Sequence, residues 1–199
     1  MKFFSTLFIC LTAFLTLWGF IPTAEECKIY DSTVRLHVIA NSDSESDQDV
    51  KMKVRDAVLE HISGYNAETR DEALNTIIAD AETIQRIAFD VLRDNGKTDE
   101  VRIEIGEEGY PIRNYEDFSL PAGVYTSVRI IIGDGDGQNW WCVLFPPLCT
   151  SYATEWDEEE YISVGLSADQ YSFITGTSGE YKVKFKLLEI AAEALGMEY

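Results

Sequence analysis

The sequence contains only two histidines, His37 and His61, the side chains best suited to acid–base catalysis near neutral pH. His61 lies on the apolar stripe of a predicted helix, which favours a packed structural role. His37 is followed by Asn41-Ser42-Asp43 at the predicted start of a helix, where free backbone N–H groups can bind ligands. Because neighbours in sequence rarely reach the geometry of a catalytic triad, this pattern favours a binding site over an enzyme.

The segment Asp134-Gly135-Asp136-Gly137 has the spacing of carboxylates that begins a calcium-binding loop. The later positions of such a loop need oxygen ligands and a glycine, but this sequence has Gln138, Asn139 and Phe145 there. The glycines therefore indicate a hairpin turn. We predict no metal site and no cofactor.

Four cysteines occur, and Cys10 lies in the apolar N-terminal segment. Cys142 and Cys149 are close enough in sequence to form a disulfide across a short loop, which an extracytoplasmic environment would permit. Two buried free thiols are the alternative, because Cys142 lies in an apolar strand. A zinc site is disfavoured, because the sequence has no Cys-x-x-Cys spacing and no histidine near Cys142.

The chain has 199 residues, with 35 acidic residues against 16 lysines and arginines and a net charge of −19. This charge argues against binding to nucleic acids, whose phosphates it would repel, and against simple electrostatic binding to anionic lipids. A partner with a basic surface would be compatible. Solubility alone also explains the charge.

Residues 1–26 have the layout of an export signal or a membrane anchor, with Lys2 before an apolar run from Phe3 to Ile21 and acidic residues after it. Pro22-Thr23-Ala24 is a poor cleavage site, so a cleaved signal peptide and a retained anchor both stay open. In either case we expect an extracytoplasmic protein. Residues 27–199 are enough for a single domain.

Two kinds of hydrophobic periodicity predict the secondary structure. Alternation predicts a strand over 33–40, and a spacing of 3.6 residues predicts one helix over about 46–62 and another over about 67–95. Further strands are predicted at 101–105, 124–132 and 140–145, with a turn at 106–109 and a hairpin at 133–139. The acidic segment 154–167 is typical of a solvated loop, and the tail from Thr177 has a helical stripe. The predicted class is α+β, a mostly antiparallel sheet covered by two or three helices.

Several side chains are candidates for contact with a partner. Arg35 and His37 share one face of the first strand, and we expect both to be surface groups. Trp140 and Trp141 must point to opposite faces of their strand, so one can belong to the core while the other faces a second layer or a partner. The candidate partner-binding residues are Arg35, His37, Asn41, Ser42, Asp43, Trp140 and Trp141.

Two blocks of sequence resemble the stage II sporulation protein R family. The first is VRLHVIANSD at 34–43 with KMKVRDAV at 51–58, and the second runs from LPAGVY at 120–125 to NWWCVLFPPLC at 139–149. The resemblance implies a signalling protein made in the forespore and exported into the space between the forespore and mother-cell membranes. It implies as partner the membrane-embedded aspartic protease that processes pro-sigma-E, which the protein would activate from the extracytoplasmic side.

Two other functions stay open at this point. An extracytoplasmic hydrolase could use His37 and Asp43 on cell-wall or peptide substrates. A passive structural domain held by its N-terminal anchor would have no activity once that segment was removed.

Overall fold

The strand predicted over 33–40 and the helix predicted over about 46–62 are both confirmed. The computed structural model describes residues 2–19, 24–115, 117–148 and 157–176, and it confirms the α+β class. The helices are α1 (Lys2–Gly19), α2 (Ala24–Ser32), α3 (Glu45–Ile62), α4 (Arg70–Ala79), α5 (Ala81–Asp94), α6 (Glu158–Ser163) and α7 (Ala168–Ile174). The strands are β1 (Val34–Ile39), β2 (Val101–Tyr110), β3 (Arg113–Asn114), β4 (Ser119–Leu120), β5 (Gly123–Ile132) and β6 (Asn139–Phe145).

The main sheet has the strand order β2-β5-β1-β6, and β3 and β4 form a separate small sheet. β1 is parallel to β5 and antiparallel to β6, whereas β2 is antiparallel to β5. The predicted hairpin between β5 and β6 is therefore wrong, because β1 lies between them. The connecting loop crosses the end of β1 instead, where Gly137 N–H donates to the Ala40 carbonyl over 3.0 Å.

One face of the main sheet is covered by α3 and α5. The predicted start and apolar stripe of α3 are confirmed: Ser44 caps the helix by accepting from the N–H of Asp47, and Val50, Val54 and Val58 are buried against the sheet. Gly96 ends α5 with a φ of 72°, as predicted from its residue type.

The predicted single helix over 67–95 is divided into α4 and α5 at Asp80. This residue has φ −105° and ψ 9°, which lie outside the helical range. Its carboxylate accepts hydrogen bonds from His61 Nε2 and Tyr65 OH, each over 2.5 Å. These contacts hold the corner between the helices, and they give His61 a structural partner, in line with the packed role expected for it.

Acid unfolding should depend on Asp80. Hydrogen bonds from Tyr65 and His61 lower the pKa of its carboxyl from 3.8 to about 2, so this group stabilises the fold above about pH 4 and loses that effect as the pH falls to about 2. Asp80→Asn should therefore flatten the loss of stability in this range, measured by urea unfolding at each pH. Asp94→Asn, at an exposed position of α5, is the control. Equal pH slopes for the wild type and Asp80→Asn would contradict this account.

β2 is longer than predicted. The expected turn at 106–109 is wrong, because the strand continues to Tyr110 and pairs with β5 along its whole length. Gly106 and Gly109 both keep negative φ angles, so they extend the strand rather than turn it. The additional strand residues bring Glu108 onto the face of the sheet that carries His37.

The other face of the main sheet is covered by α2, the small sheet, α6 and α7. Tyr161 of α6 is buried in this second apolar cluster with Ile29 of α2 and Phe173 of α7. For residues 157–167, the predicted solvated loop is wrong, because Asp157 and Glu160 form a capping box that begins α6. The predicted tail helix from Thr177 lies outside the described residues.

The N-terminal helix α1 carries exposed apolar side chains, including Phe4 and Phe8. Within the part of the chain that the structure describes, no helix is long and apolar enough to cross a membrane. α2 spans the predicted boundary at residue 26, and Ile29 on this helix packs into the domain. The division into residues 1–26 and 27–199 stays a prediction.

Candidate functional site

All the candidate residues except Trp140 fall into two neighbouring regions. The first, named the β1–α3 corner, comprises residues 40–44, between the end of β1 and the start of α3. The second, named the buried polar cluster, lies on the face of the sheet opposite α3 and comprises Arg35, His37, Glu108, Tyr110, Arg113, Tyr115, Ser127 and Trp141.

Asp47 holds the β1–α3 corner together. Its Oδ2 accepts from Ser42 Oγ over 2.5 Å and from Asn41 Nδ2 over 3.3 Å, while its Oδ1 contacts Lys97 Nζ over 2.5 Å. These contacts, led by Lys97, lower the pKa of the Asp47 carboxyl far below its ordinary value. The carboxylate is therefore ionised, and both of its oxygens bind other groups of the protein.

The same corner anchors the loop between β5 and β6. Asn41 Oδ1 accepts the N–H of Asp134 over 3.0 Å, and Asp43 Oδ1 accepts the N–H of Gln138 over 2.7 Å. Lys51 Nζ donates to the Gln138 carbonyl over 2.9 Å. The predicted ligand-binding side chains thus hold this loop in place, although Asp43 also stays exposed to solvent.

Arg35 and His37 are not surface groups, and this expectation is wrong. Their exposed fractions are 0% and 3%. Alternation along β1 does place them on the face opposite Leu36. That face is not open to solvent, however, because α2 and the small sheet form a second layer over it.

His37 and Ser127 both bind the carboxylate of Glu108. His37 Nδ1 is 3.1 Å from Oε1, and Ser127 Oγ donates to Oε2 over 2.8 Å. The phenol oxygen of Tyr110 is a further 2.6 Å from Ser127 Oγ. Burial lowers the pKa of His37, an effect that the charge of Glu108 partly opposes.

This arrangement differs from a catalytic triad. In a triad the imidazole binds the nucleophile with one nitrogen and the carboxylate with the other. Here the carboxylate of Glu108 lies between Ser127 and His37, so the hydroxyl donates to the carboxylate instead of the imidazole. The contacts of Glu108 therefore link β1, β2 and β5 on one face of the sheet.

Arg35 is surrounded by aromatic rings. Its guanidinium carbon lies 4.3 Å from the Tyr110 ring centroid and 4.9 Å from that of Tyr125. Its Nε donates to the Cys142 carbonyl over 3.2 Å, and its Nη2 donates to Tyr115 OH over 2.9 Å. Nη1 is buried and has no hydrogen bond to the residues that the structure describes.

The two adjacent tryptophans point to opposite faces of β6, as predicted. Trp141 stacks on His37 at 3.8 Å between ring centroids and lies under Arg113. Trp140 packs against the helix-covered core, where the guanidinium of Arg55 lies 4.8 Å from its centroid. Both rings are half-buried, so each is a packing residue with an accessible edge.

Cys142 is disulfide-bonded, and its partner is not among the side chains that the structure describes. Cys149 lies outside the described residues, so the Cys142–Cys149 pair stays a prediction. Comparing the peptide masses of the protein before and after reduction would identify the partner.

Sequence reasoning missed Glu108, Ser127 and Arg113. Glu108 was hidden because the two glycines around it indicated a turn. The signal that could have found it is the alternation of Glu104 with Glu108 beyond residue 105, since both keep the phase of a continuing strand. Arg113 and Ser127 carry no such local signal, because they lie close to Arg35 and His37 only when the strands are assembled.

Comparison with known proteins identifies a family whose sequences match the part of the chain that contains both regions. A sequence model described as stage II sporulation protein R matches residues 30–155, which include the six strands of the described residues. The chain belongs to the stage II sporulation protein R family. The stage II sporulation protein R of Bacillus subtilis (strain 168) is 35% identical over 157 residues, which cover 72% of this chain and 70% of that protein. No solved structure matches the chain significantly.

Membership of the stage II sporulation protein R family supports a role in sporulation. The family consists of sporulation signalling proteins. The matched residues include the β1–α3 corner and the buried polar cluster. Both regions therefore belong to the part of the chain that defines the family.

Proposed function

We propose that this protein is an exported sporulation signal that activates a membrane-embedded aspartic protease, which then processes pro-sigma-E in the mother cell. The observation that carries the proposal is the match to stage II sporulation protein R over residues 30–155. The apolar segment between Lys2 and Ile21 supports export. The protein would act in the space between the forespore and mother-cell membranes, either secreted or anchored.

The proposed mechanism is a shift of the protease between two arrangements. The domain docks on the extracytoplasmic face of the protease and favours the active arrangement. A ligand shifts such an equilibrium only by its difference in affinity for the two states, so a rigid contact surface is an advantage. The bonds of Asn41 and Asp43 to the crossing loop make the β1–α3 corner rigid in this sense.

We propose the exposed edge of the β1–α3 corner and the accessible edge of Trp140 as the contact surface. Asp43 and Asp136 are exposed there, which suits a basic partner surface. Arg35 and His37 would act through the shape of the sheet and not by contact, because both are buried. Replacing Arg35 or His37 with alanine is therefore expected to disturb the fold, so a loss of signalling in such a variant would not identify a contact residue.

We propose no enzymatic activity for the protein. The hydrolase alternative depends on His37 and Asp43 acting together. His37 instead binds Glu108, and Asp43 accepts the N–H of Gln138. No observation favours that alternative.

Reconstitution in a non-sporulating bacterial host tests the proposed function. The full chain is produced together with the protease and pro-sigma-E, and cleavage of pro-sigma-E is followed by gel. We expect cleavage with the full chain and none with a version lacking residues 1–23, because that version stays on the wrong side of the membrane.

Two controls make the result decisive. A foreign export signal fused before Ala24 should restore cleavage, which separates export from any other role of residues 1–23. A known activator shows that the protease is competent. Absence of cleavage with an exported, folded chain and a competent protease would reject the proposal, and cleavage that persists without export would reject the extracytoplasmic site of action.

A further inference from the structure

Two arginines of the buried polar cluster lack a carboxylate partner within the described residues. Arg35 is fully buried and Arg113 of the small sheet is half-buried. Burial lowers the pKa of Arg113, and the positive charge of the nearby Arg35 lowers it further. Arg129 of the same face contrasts with them, because it pairs with Glu104 over 2.5 Å. In a chain with 35 acidic residues, two neighbouring unpaired guanidiniums are unexpected.

Both arginines also have a buried N–H donor without an acceptor. Within the described part of the chain, these atoms are Arg35 Nη1 and Arg113 Nε. Buried polar groups are nearly always satisfied, so unsatisfied donors on charged groups point to a ligand. The guanidinium of Arg113 lies 4.6 Å from the centroid of Trp141, the ring that stacks on His37, so the three groups share one wall.

We propose that Arg35 and Arg113 form a binding site for a carboxylate. A carboxylate has two oxygens in one plane, and each arginine supplies one free N–H in the plane of its guanidinium. Tyr110 and Trp141 form flat aromatic walls beside the two guanidiniums. The bound anion would also separate two positive charges that otherwise repel each other.

The small sheet provides the route into this site. β3 and β4 are hydrogen-bonded to each other and not to the main sheet. Moving β3 outward therefore lifts Arg113 from Trp141 without breaking any hydrogen bond of the main ladder.

The carboxylate can come from a free small acid or from an acidic group of a bound peptide. The full chain, labelled with 15N, is titrated with acetate, with a blocked tripeptide containing a central glutamate, and with the same tripeptide containing glutamine. Sodium chloride at equal ionic strength is the salt control. The Nε–H resonances of the arginines are followed by NMR.

We expect a saturable shift of the Nε–H resonances of Arg35 and Arg113. Arg113→Gln should weaken binding at least about tenfold, because it removes a charge-assisted hydrogen bond. Arg55→Gln is the matched control: Arg55 also stacks on a tryptophan, but Asp56 already binds its Nε, so binding should be unchanged. Arg35→Lys keeps the positive charge but removes the planar guanidinium, so it should also weaken carboxylate binding.

Each outcome has a defined meaning. Saturation by acetate supports a site for a free small acid, and saturation by the glutamate peptide alone supports a site for a protein carboxylate. No saturable shift beyond the chloride control overturns the proposal and leaves water as the partner of the free donors. Equal affinity in Arg113→Gln and the wild type also overturns it.

Discussion

Replacing Gly137 with alanine is expected to lower the free energy of unfolding by about 3 kcal/mol, the upper range for overpacking a filled site. A Cβ at this position would collide with the backbone carbonyl of Ser42 and approach the Cβ of Ala40 to 2.9 Å. Backbone atoms cannot rotate away as a flexible side chain can. The crossing loop would have to leave the end of β1, and Gly137 N–H would lose its bond to the Ala40 carbonyl.

Gly106→Ala is the matched control for this change. Gly106 lies in β2 with nothing within 4 Å of an added Cβ. Its alanine variant should stay within about 0.5 kcal/mol of the wild type, as is usual for substitutions that touch nothing. Both variants are measured by urea unfolding with circular dichroism. Equal stability of Gly137→Ala and Gly106→Ala would show that the loop does not rest on the β1–α3 corner.

Replacing Asp47 with alanine should also lower the free energy of unfolding by about 3 kcal/mol, because it breaks a buried charged network. The change removes the acceptor of Ser42, Asn41 and Lys97 in one step. The ammonium of Lys97, which is only 25% exposed, then keeps its charge without a partner. Hydrogen bonds to charged groups are among the costliest to lose.

Asp49→Ala provides the comparison on the same helix. Asp49 is 63% exposed and pairs with Lys53 over 2.8 Å. Such surface pairs contribute about 0.5 kcal/mol or less. A double-mutant cycle of Asp47 with Lys97 then measures the coupling of this pair separately from the hydrogen bonds of Asp47 to Ser42 and Asn41. A coupling near zero, or a cost for Asp47→Ala no greater than for Asp49→Ala, would contradict the network as the main stabiliser of the corner.

Local patterns in the sequence were enough to predict much of the fold. The period of 3.6 residues with Ser44 as the cap predicted α3 to within a residue at its start, and alternation predicted β1 and the first half of β2. These signals work because they depend on neighbours within a few residues. The opposite directions of Trp140 and Trp141 follow from the same local rule.

The order of the strands could not be read in this way. The glycines of the loop between β5 and β6 favour a hairpin locally, but pairing with β1 over a long sequence distance overrides that preference. The burial of Arg35 has the same origin, because the layer that covers it comes from α2, the small sheet and α7. Glu108 shows the converse case, where turn-forming glycines were accommodated in a long paired strand.

The position of β1 in the sheet also sets the order in which the protein can be completed. β1 is made early, yet both of its neighbours, β5 and β6, are made late, and Arg35 finds the Cys142 carbonyl 107 residues further along the chain. Contacts of this range are slow to form, and a nascent chain that ends before Gly123 carries an apolar strand with neither of its two neighbours, β5 and β6. Synthesis therefore leaves β1 without a neighbouring strand until β5 has been made, although α3 and α5, the helices that cover one face of the sheet, are already complete.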